Sequence, residues 1–189
     1  MDCRACHLWT LGRQTVFGVG PEHAAVMMVG EVPGDQEDRE GLPFVGPAGK
    51  LLDAALHNAR IDRSTVYVTN VVKHFKWERI GASPRRIHKK PNAAEIAACR
   101  PWLDAEIDRV RPRVLVCLGS TAAQALLGRT FRVTANRGVP VPSSLAELVI
   151  ATVHPASVLR APDELARQRA EKEFFADIAT IGRHIRGDA

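Results

Sequence analysis

The sequence predicts an α/β fold, a three-layer helix-sheet-helix arrangement around a central, mostly parallel sheet of four strands. Four short apolar runs, rich in β-branched residues, have the length and composition of buried parallel strands. Segments with helical periodicity lie between these runs and after the last one. Strands that alternate with helices favour parallel pairing, because a crossover helix brings the chain back to the edge of the sheet where it started.

Each predicted element has a local reason in the sequence. The strands are predicted at residues 24–30 (AAVMMVG), 66–69 (VYVT), 113–118 (RVLVCL) and 148–153 (LVIATV). The helices are predicted at residues 48–59, 93–110, 120–127 and about 163–185. Asn92 and Asp163 stand at the start of two of these helices, where a side-chain oxygen can accept an orphan backbone N–H.

Polar or turn residues follow all four predicted strands. Gly30 ends the first strand and Glu31 follows it; the others are Asn70 after the second, Gly119 after the third, and His154 and Pro155 after the fourth. Because the carboxyl ends of parallel strands meet at one edge of the sheet, we expect these residues to line a common pocket.

The composition is typical of one globular domain, which we expect to span residues 1–189 as a monomer. No apolar run approaches the roughly 18 residues that a membrane span needs, and no secretory leader is recognisable. We therefore expect a cytoplasmic protein that does not insert into membranes.

The formal net charge of +5 makes a polyanion a reasonable partner, since Lys and Arg displace counterions from phosphates. The basic residues concentrate at residues 73–76 (KHFK) and 85–90 (RRIHKK). The second stretch is flanked by Gly and Pro and is predicted to be an exposed loop. Charge alone does not identify a nucleic-acid-binding protein.

Two of the four cysteines form a CxxC pair, Cys3 and Cys6. In a chain without an export signal this pair favours a metal or cluster over a structural disulfide. A redox pair and a zinc site remain alternatives. Cys99 is predicted to begin a helix near a proline and to be a ligand, whereas Cys117 lies inside an apolar strand and is predicted to be a core residue.

Two long segments, residues 30–38 (GEVPGDQED) and 41–52 (GLPFVGPAGKLL), resemble the first motif of family-four-like uracil-DNA glycosylases. Residues 67–73 (YVTNVVK), 99–103 (CRPWL) and 152–157 (TVHPAS) continue the similarity in the same order, over nearly the whole chain. Residues 85–89 (RRIHK) resemble the loop that distinguishes the X-type branch of this superfamily. The resemblance implies that the protein removes uracil from DNA, with single strands as the preferred substrate.

The resemblance also implies a 4Fe-4S cluster. Its ligands would be Cys3, Cys6, His74 and Cys99. His74 departs from the family pattern, which has a cysteine after the lysine that corresponds to Lys73. Three thiolates and one imidazole form an unusual ligand set that iron chemistry allows. Cys117 is the reserve candidate for the fourth ligand.

Several residues are expected to recognise the extruded base. Asn70 would pair with uracil O4 and N3–H, unless it only caps a turn, and Phe44 would stack on the base, unless it is core. His154 would donate to uracil O2, unless it is an ordinary loop residue. Gly30, Arg86 and Ser157 complete the expected substrate-binding set. After these, Leu159 is a candidate wedge and Arg160 a candidate phosphate contact.

The X-type loop implies that His88 is a nucleophile. A neutral imidazole could bond to the sugar C1′, and Glu31 would stabilise the positive sugar and accept a proton. Such an adduct predicts a single turnover. Asp35 is a weaker catalytic candidate that would position water, and Val32 stands where relatives can carry a polar side chain, so position 32 has no assigned role.

Two other functions remain open at this stage. In a conventional, multiple-turnover glycosylase the basic loop would grip phosphates and water would attack C1′. In a non-catalytic module the chain would bind uracil or single-stranded DNA without cutting. An iron-sulfur electron carrier is disfavoured, because it needs no combination of Glu, Asn and His.

Overall fold

The structure is a computed structural model that describes residues 3–79, 81 and 85–187. Its strands are β1 (Val26–Gly30), β2 (Val66–Asn70), β3 (Trp77–Glu78), β4 (Ile87–His88), β5 (Val114–Leu118), β6 (Pro140–Val141) and β7 (Leu148–Thr152). Its α-helices are α1 (Asp35–Glu40), α2 (Pro47–Asn58), α3 (Ala93–Val110), α4 (Ser120–Leu127), α5 (Val133–Asn136), α6 (Pro155–Leu159) and α7 (Glu164–Arg186). Two 3-10 turns lie at His7–Thr10 and Arg63–Thr65.

The central sheet has the strand order β2-β1-β5-β7-β6. The first four of these strands are parallel, and β6 pairs antiparallel with β7 at one edge. The predicted fold class and the four predicted parallel strands are confirmed. The predicted strand count was wrong by one, because a two-residue strand that begins with Pro140 has no periodicity to detect and suits only a sheet edge.

Helices cover both faces of the sheet, and the alternating side chains of each strand divide between them. Met28 faces a core that contains Leu56 of α2 and Phe174 of α7. Its neighbour Met27 faces the opposite core, which contains Leu103 of α3. All five side chains are fully buried. Burial of one such side chain stabilises the fold by about 1.5–3 kcal/mol, so the two cores together fix the sheet between its helices.

The predicted helix starts at Asn92 and Asp163 are confirmed. The Asn92 side chain accepts from the Glu95 backbone N–H, and the Glu95 carboxylate accepts from the Asn92 N–H, which is a complete capping box. Asp163 caps α7 by accepting from Ala166. Each cap satisfies backbone donors that the helix itself leaves unpaired.

Two local predictions were wrong. The basic stretch at residues 85–90 is not entirely loop, because Ile87 and His88 form β4 and pair antiparallel with Trp77 and Glu78 of β3. Cys99 does not begin a helix but lies inside α3, which continues through Pro101. No helix in the described part of the chain combines the length and apolar character needed to cross a membrane.

Candidate active site

A cavity of about 710 Å³ opens at the carboxyl edge of the parallel strands. Its lining includes one residue at or just after each of these strands, namely Glu31, Asn70, Gly119 and His154, together with His88 from β4. Of the other residues singled out in the sequence, Val32, Asp35, Phe44, Ser157, Leu159 and Arg160 also line this cavity. Gly30 and Arg86 are not among the described residues that line the cavity.

Asn70 ends β2 beside Gly30, its partner in the register of β1. A Cβ atom on Gly30 would lie 2.4 Å from Asn70 Oδ1 and 2.6 Å from Cζ of Phe44, so only glycine leaves room for both side chains. Within the described residues, no hydrogen bond engages the Asn70 side-chain amide. The amide is therefore available to a ligand in the cavity.

Phe44 occupies an unusual backbone conformation, with φ of 57° in the left-handed region. Bulky residues rarely adopt this region, and such strain persists only where the surroundings enforce it. Its carbonyl packs so closely on Gly49 that a Cβ there would overlap it. The Phe44 ring lies 6.0 Å from the ring of His154, with 24° between their planes. The strained turn thus holds an aromatic ring beside the polar groups of the cavity.

His154 caps the short helix α6, and its Nδ1 accepts the backbone N–H of Ala156 at 3.1 Å. Burial lowers the pKa of His154 to about 4, and the positive charge of Arg160 contributes to the shift. The ring is therefore neutral near pH 7, and because Nδ1 accepts, its single proton lies on Nε2. This makes Nε2 a fixed, uncharged donor. Gly119 allows the approach, since a Cβ on it would lie 2.9 Å from His154 Cβ.

Glu31 and His88 face each other across the cavity. His88 Nε2 lies 3.9 Å from Glu31 Oε2, which is longer than a hydrogen bond but short enough to tighten around a ligand. Burial lowers the pKa of His88, and nearby Arg160 adds to this, while Glu31 opposes it. A neutral imidazole with an available lone pair therefore stands beside a carboxylate.

Arg86 is placed differently from its predicted role as a substrate contact. Its Nε donates to Asp35 and its Nη1 to Asp38, each at 2.5 Å. Its guanidinium also stacks over the rings of Phe75 and Trp77. Because this arrangement engages the guanidinium within the protein, Arg86 anchors the segment that carries His88. The same contact turns Asp35 toward the anchor, although Asp35 also lines the cavity.

Lys73 was not predicted as a site residue, yet its ammonium group is hydrogen-bonded to the backbone of Asn70. Its fully buried ammonium donates to Thr69 Oγ1, to the Asn70 carbonyl and to Glu106 Oε2, at 2.6–2.7 Å. All three donors of the ammonium are thus satisfied. The bond to Asn70 fixes the backbone from which the free amide projects. The sequence showed only a lysine in a basic stretch, and no pattern indicated that it points into the core.

The N-terminal cysteines lie against α3. Trp102 Nε1 donates to Cys3 Sγ at 3.2 Å, and the Lys73 backbone N–H donates to Cys99 Sγ at 3.4 Å. Burial raises the pKa of Cys99, the Lys73 N–H opposes this, and the thiols of Cys6 and Cys3 add to the rise. Three of the four cysteines are therefore neighbours. N–H donors directed at sulfur are the contacts that tune metal-bound thiolates.

His74 is linked to the N-terminal cysteine segment through Thr15. Its Nε2 lies 3.1 Å from Thr15 Oγ1, which also accepts the Cys3 backbone N–H. A hydroxyl bonded to one ring nitrogen is the outer contact that a metal-ligating imidazole makes. By contrast, Cys117 lies in the apolar core of β5, where burial alone raises its pKa to about 12.

No three His, Cys, Asp or Glu side chains in the described ranges gather closely enough for a single metal ion. A four-iron cluster holds its ligands farther apart than one ion does, because each ligand binds a different corner of the cluster. Three cysteines and a histidine are a donor set that iron-sulfur chemistry allows.

Comparison with known proteins agrees with this arrangement. Residues 17–179 match the family model of the uracil DNA glycosylase superfamily. A type-4 uracil-DNA glycosylase of Sulfurisphaera tokodaii is 36% identical over 182 residues, which cover 92% of this chain and 78% of that protein. A type-4 enzyme of Archaeoglobus fulgidus is 36% identical over 190 residues (96% and 87%), and one of Thermotoga maritima is 38% identical over 159 residues (84% and 78%). With this match and the shared α/β architecture, the chain belongs to the uracil-DNA glycosylase superfamily.

Proposed function

We propose that this protein excises uracil from DNA and that His88 then bonds to the sugar that the base has left. The observation that carries the proposal is the pair of His88 and Glu31, 3.9 Å apart in the cavity that also holds Asn70. The low pKa of His88 supports it, because only the neutral imidazole has a lone pair to share.

Recognition begins when the target base leaves the stack and enters the cavity. The Asn70 amide donates to uracil O4 and accepts from N3–H, whereas cytosine presents the opposite pattern and leaves both groups unpaired. The Phe44 ring stacks on the base. Because Lys73 fixes the Asn70 backbone and Gly30 leaves room for its amide, the recognition groups are ordered before the base arrives.

Cleavage breaks the C1′–N1 bond, and its electron pair leaves with the uracil. Negative charge spreads from N1 to O2, where the Nε2–H of His154 donates a hydrogen bond to it. One such donor, directed at developing charge, contributes about 10²–10³ in rate. Positive charge develops at C1′, where the Glu31 carboxylate stabilises it.

Capture forms one bond between a His88 ring nitrogen and C1′. The imidazole N–H proton passes to Glu31 and then to the departing uracil or to solvent, so charge and protons balance. The attached imidazole is a poor leaving group once it has lost this proton, and the protein therefore reacts once. Arg86 holds the His88 segment in place during the step through Asp35 and Asp38.

The same proposal includes a 4Fe-4S cluster bound by Cys3, Cys6, His74 and Cys99. When bound, the cluster ties the N-terminal segment to α3 and to the loop after β2. The N–H donors of Trp102 and Lys73, directed at two of the sulfurs, support this ligand set. The reacting groups are elsewhere, and no step of the cleavage passes through the cluster.

The partner is uracil-containing DNA, with single strands preferred and the protein acting as a monomer. Arg160 and Lys90 at the cavity, with the formal net charge of +5, favour a phosphate backbone at its mouth. Leu159 beside them has an apolar side chain of the kind that wedges between bases.

A second candidate is a conventional glycosylase in which water, not His88, attacks C1′. The identity of 36–38% to three proteins named type-4 uracil-DNA glycosylase favours it. Glu31 would then activate the water, and Asp35 would help to position it. Base recognition by Asn70, Phe44 and His154 would be unchanged.

One experiment separates these functions. Purified protein is incubated with a labelled single strand that contains one uracil, boiled, and run on a denaturing gel. A band at the summed mass, absent when thymine replaces uracil, is the expected result. A free strand that breaks at the uracil position after alkali would establish the conventional glycosylase. An intact, free strand would leave only a binding function.

A further inference from the structure

The carboxylate of Glu31, which follows β1, is hydrogen-bonded to a residue of α4, the helix that follows β5. Thr121 Oγ1 donates a short hydrogen bond to Glu31 Oε1, while Glu31 Oε2 is turned toward His88. Within the described residues, no other hydrogen bond reaches this carboxylate. The Thr121 hydroxyl therefore sets the rotation of the group, because the terminal torsion of a glutamate is otherwise broad.

Thr121 is well suited to hold a fixed direction. It is the second residue of α4, directly after the turn at Gly119, and it is 4% exposed. A β-branched side chain has few χ1 rotamers in a helix, so the backbone of α4 determines where its hydroxyl points. The hydroxyl bonds to Glu31, although a helical threonine often bonds to its own helix instead.

We propose that Thr121 is a positioning residue that aims the second oxygen of Glu31 at the nucleophile. The inference rests on the proposed role of Glu31, but it holds whether the nucleophile is His88 or water. Without the hydroxyl the carboxylate rotates, and the oxygen that should face C1′ and the nucleophile is displaced. A misplacement of about 1 Å at a reacting centre costs about 10²-fold in rate.

The test compares Thr121→Val, which keeps the shape and removes the hydroxyl, with Thr121→Ser, which keeps the hydroxyl. Single-turnover rates of crosslinking and of uracil release are measured in the same samples at several DNA concentrations. Thr121→Val should lower the maximal rate by about 10²-fold, with the half-saturating DNA concentration essentially unchanged. Thr121→Ser should recover most of the rate. Thr180→Val is the matched control, since that hydroxyl bonds only within α7, to the Ala176 carbonyl and to the Arg183 side chain.

A double-mutant cycle separates this role from a direct contact with DNA. In a Glu31→Ala background no carboxylate remains to be aimed, so adding Thr121→Val should cause no further loss. A further loss there, an unchanged rate in the single variant, or a loss that Thr121→Ser does not recover would overturn the proposal. If the parent protein releases uracil but never crosslinks, the capture by His88 fails, whereas Thr121 is still tested through uracil release.

Discussion

Arg86 Nη1 donates to Asp38 Oδ2 at 2.5 Å, joining a residue two positions before His88 to a carboxylate with no exposed surface. The same guanidinium reaches Asp35, so a planar, two-sided contact ties β4 to α1. The position of His88 is therefore set by a contact with a buried carboxylate.

Arg86→Met should separate His88 from its anchor. It removes the charge that pairs with buried Asp38, and breaking a buried pair in this way costs about 3–5 kcal/mol of stability. Crosslinking should fall much more than uracil release, because Asn70 and His154 do not depend on the anchor. Urea unfolding of the holoprotein measures the first effect and the denaturing gel the second.

Arg109→Met is the matched control for stability. Arg109 pairs with Glu22, and both side chains are about two-thirds exposed. Such exposed pairs contribute about 0–1 kcal/mol, so this variant should unfold almost as the parent does. Equal losses in the two variants would contradict the anchoring role of Arg86.

His88→Ser should abolish the crosslink and keep part of the uracil release. The substitution removes the imidazole and leaves Glu31, Asn70, Phe44 and His154 in place, so the C1′–N1 bond still breaks and water completes the reaction. Alkali treatment of the labelled strand after incubation measures the release. A crosslink that persists in this variant would assign the nucleophile to another residue.

The sequence predicted the sheet and the convergence of its strand ends, because buried parallel strands are continuous apolar runs and their order fixes where they end. It could not predict how residues support one another across the sheet edge. Thr121 and Lys73 are ordinary helix and loop residues in the sequence, and their partners lie 90 and 33 positions away, respectively, at Glu31 and Glu106. The ion pairs of Arg86 with Asp35 and Asp38 could not be predicted for the same reason, because these partners are distant in the chain.

Gly30→Ala should impair base recognition. The added Cβ would lie 2.4 Å from Asn70 Oδ1 and close to the Phe44 ring, so one or both side chains must move. Overpacking of this kind typically costs about 1–3 kcal/mol of stability. The half-saturating concentration of uracil-containing DNA should rise and discrimination against cytosine should weaken. Gly81→Ala is the control: it strains a left-handed backbone with φ of 58° but crowds no side chain, since nothing lies within 4 Å of a Cβ there, so recognition should be unchanged. Normal recognition in Gly30→Ala would show that the Asn70 amide does not recognise the base.

Crosslinking should depend on pH through His88. Its pKa is lowered from the ordinary value of about 6.5, so the neutral, reactive form predominates at pH 7 and persists somewhat below pH 6.5. The rate should be flat above neutrality and should fall as the pH drops through the lowered pKa. His154, with a pKa of about 4, stays neutral over this range. The rate of uracil release by His88→Ser should therefore change less between pH 7 and pH 5 than the rate of crosslinking by the parent protein. A parallel fall in both rates would point to a different titrating group.

The cysteines should separate into ligands and core. Cys99→Ala removes a sulfur that neighbours Cys3 and Cys6 and receives the Lys73 N–H, so bound iron and visible absorbance should be lost. Cys117→Ala removes a sulfur whose surroundings are the apolar core, so the iron content should stay at the parent level with only a modest loss of stability. His74→Cys should retain the cluster, because a thiolate replaces the imidazole as ligand and suits iron at least as well. The measurement for all three variants is the iron content per chain after purification without oxygen. A fourth variant, His74→Ala, tests the alternative ligand: if it keeps its iron while Cys117→Ala loses it, Cys117 is the fourth ligand.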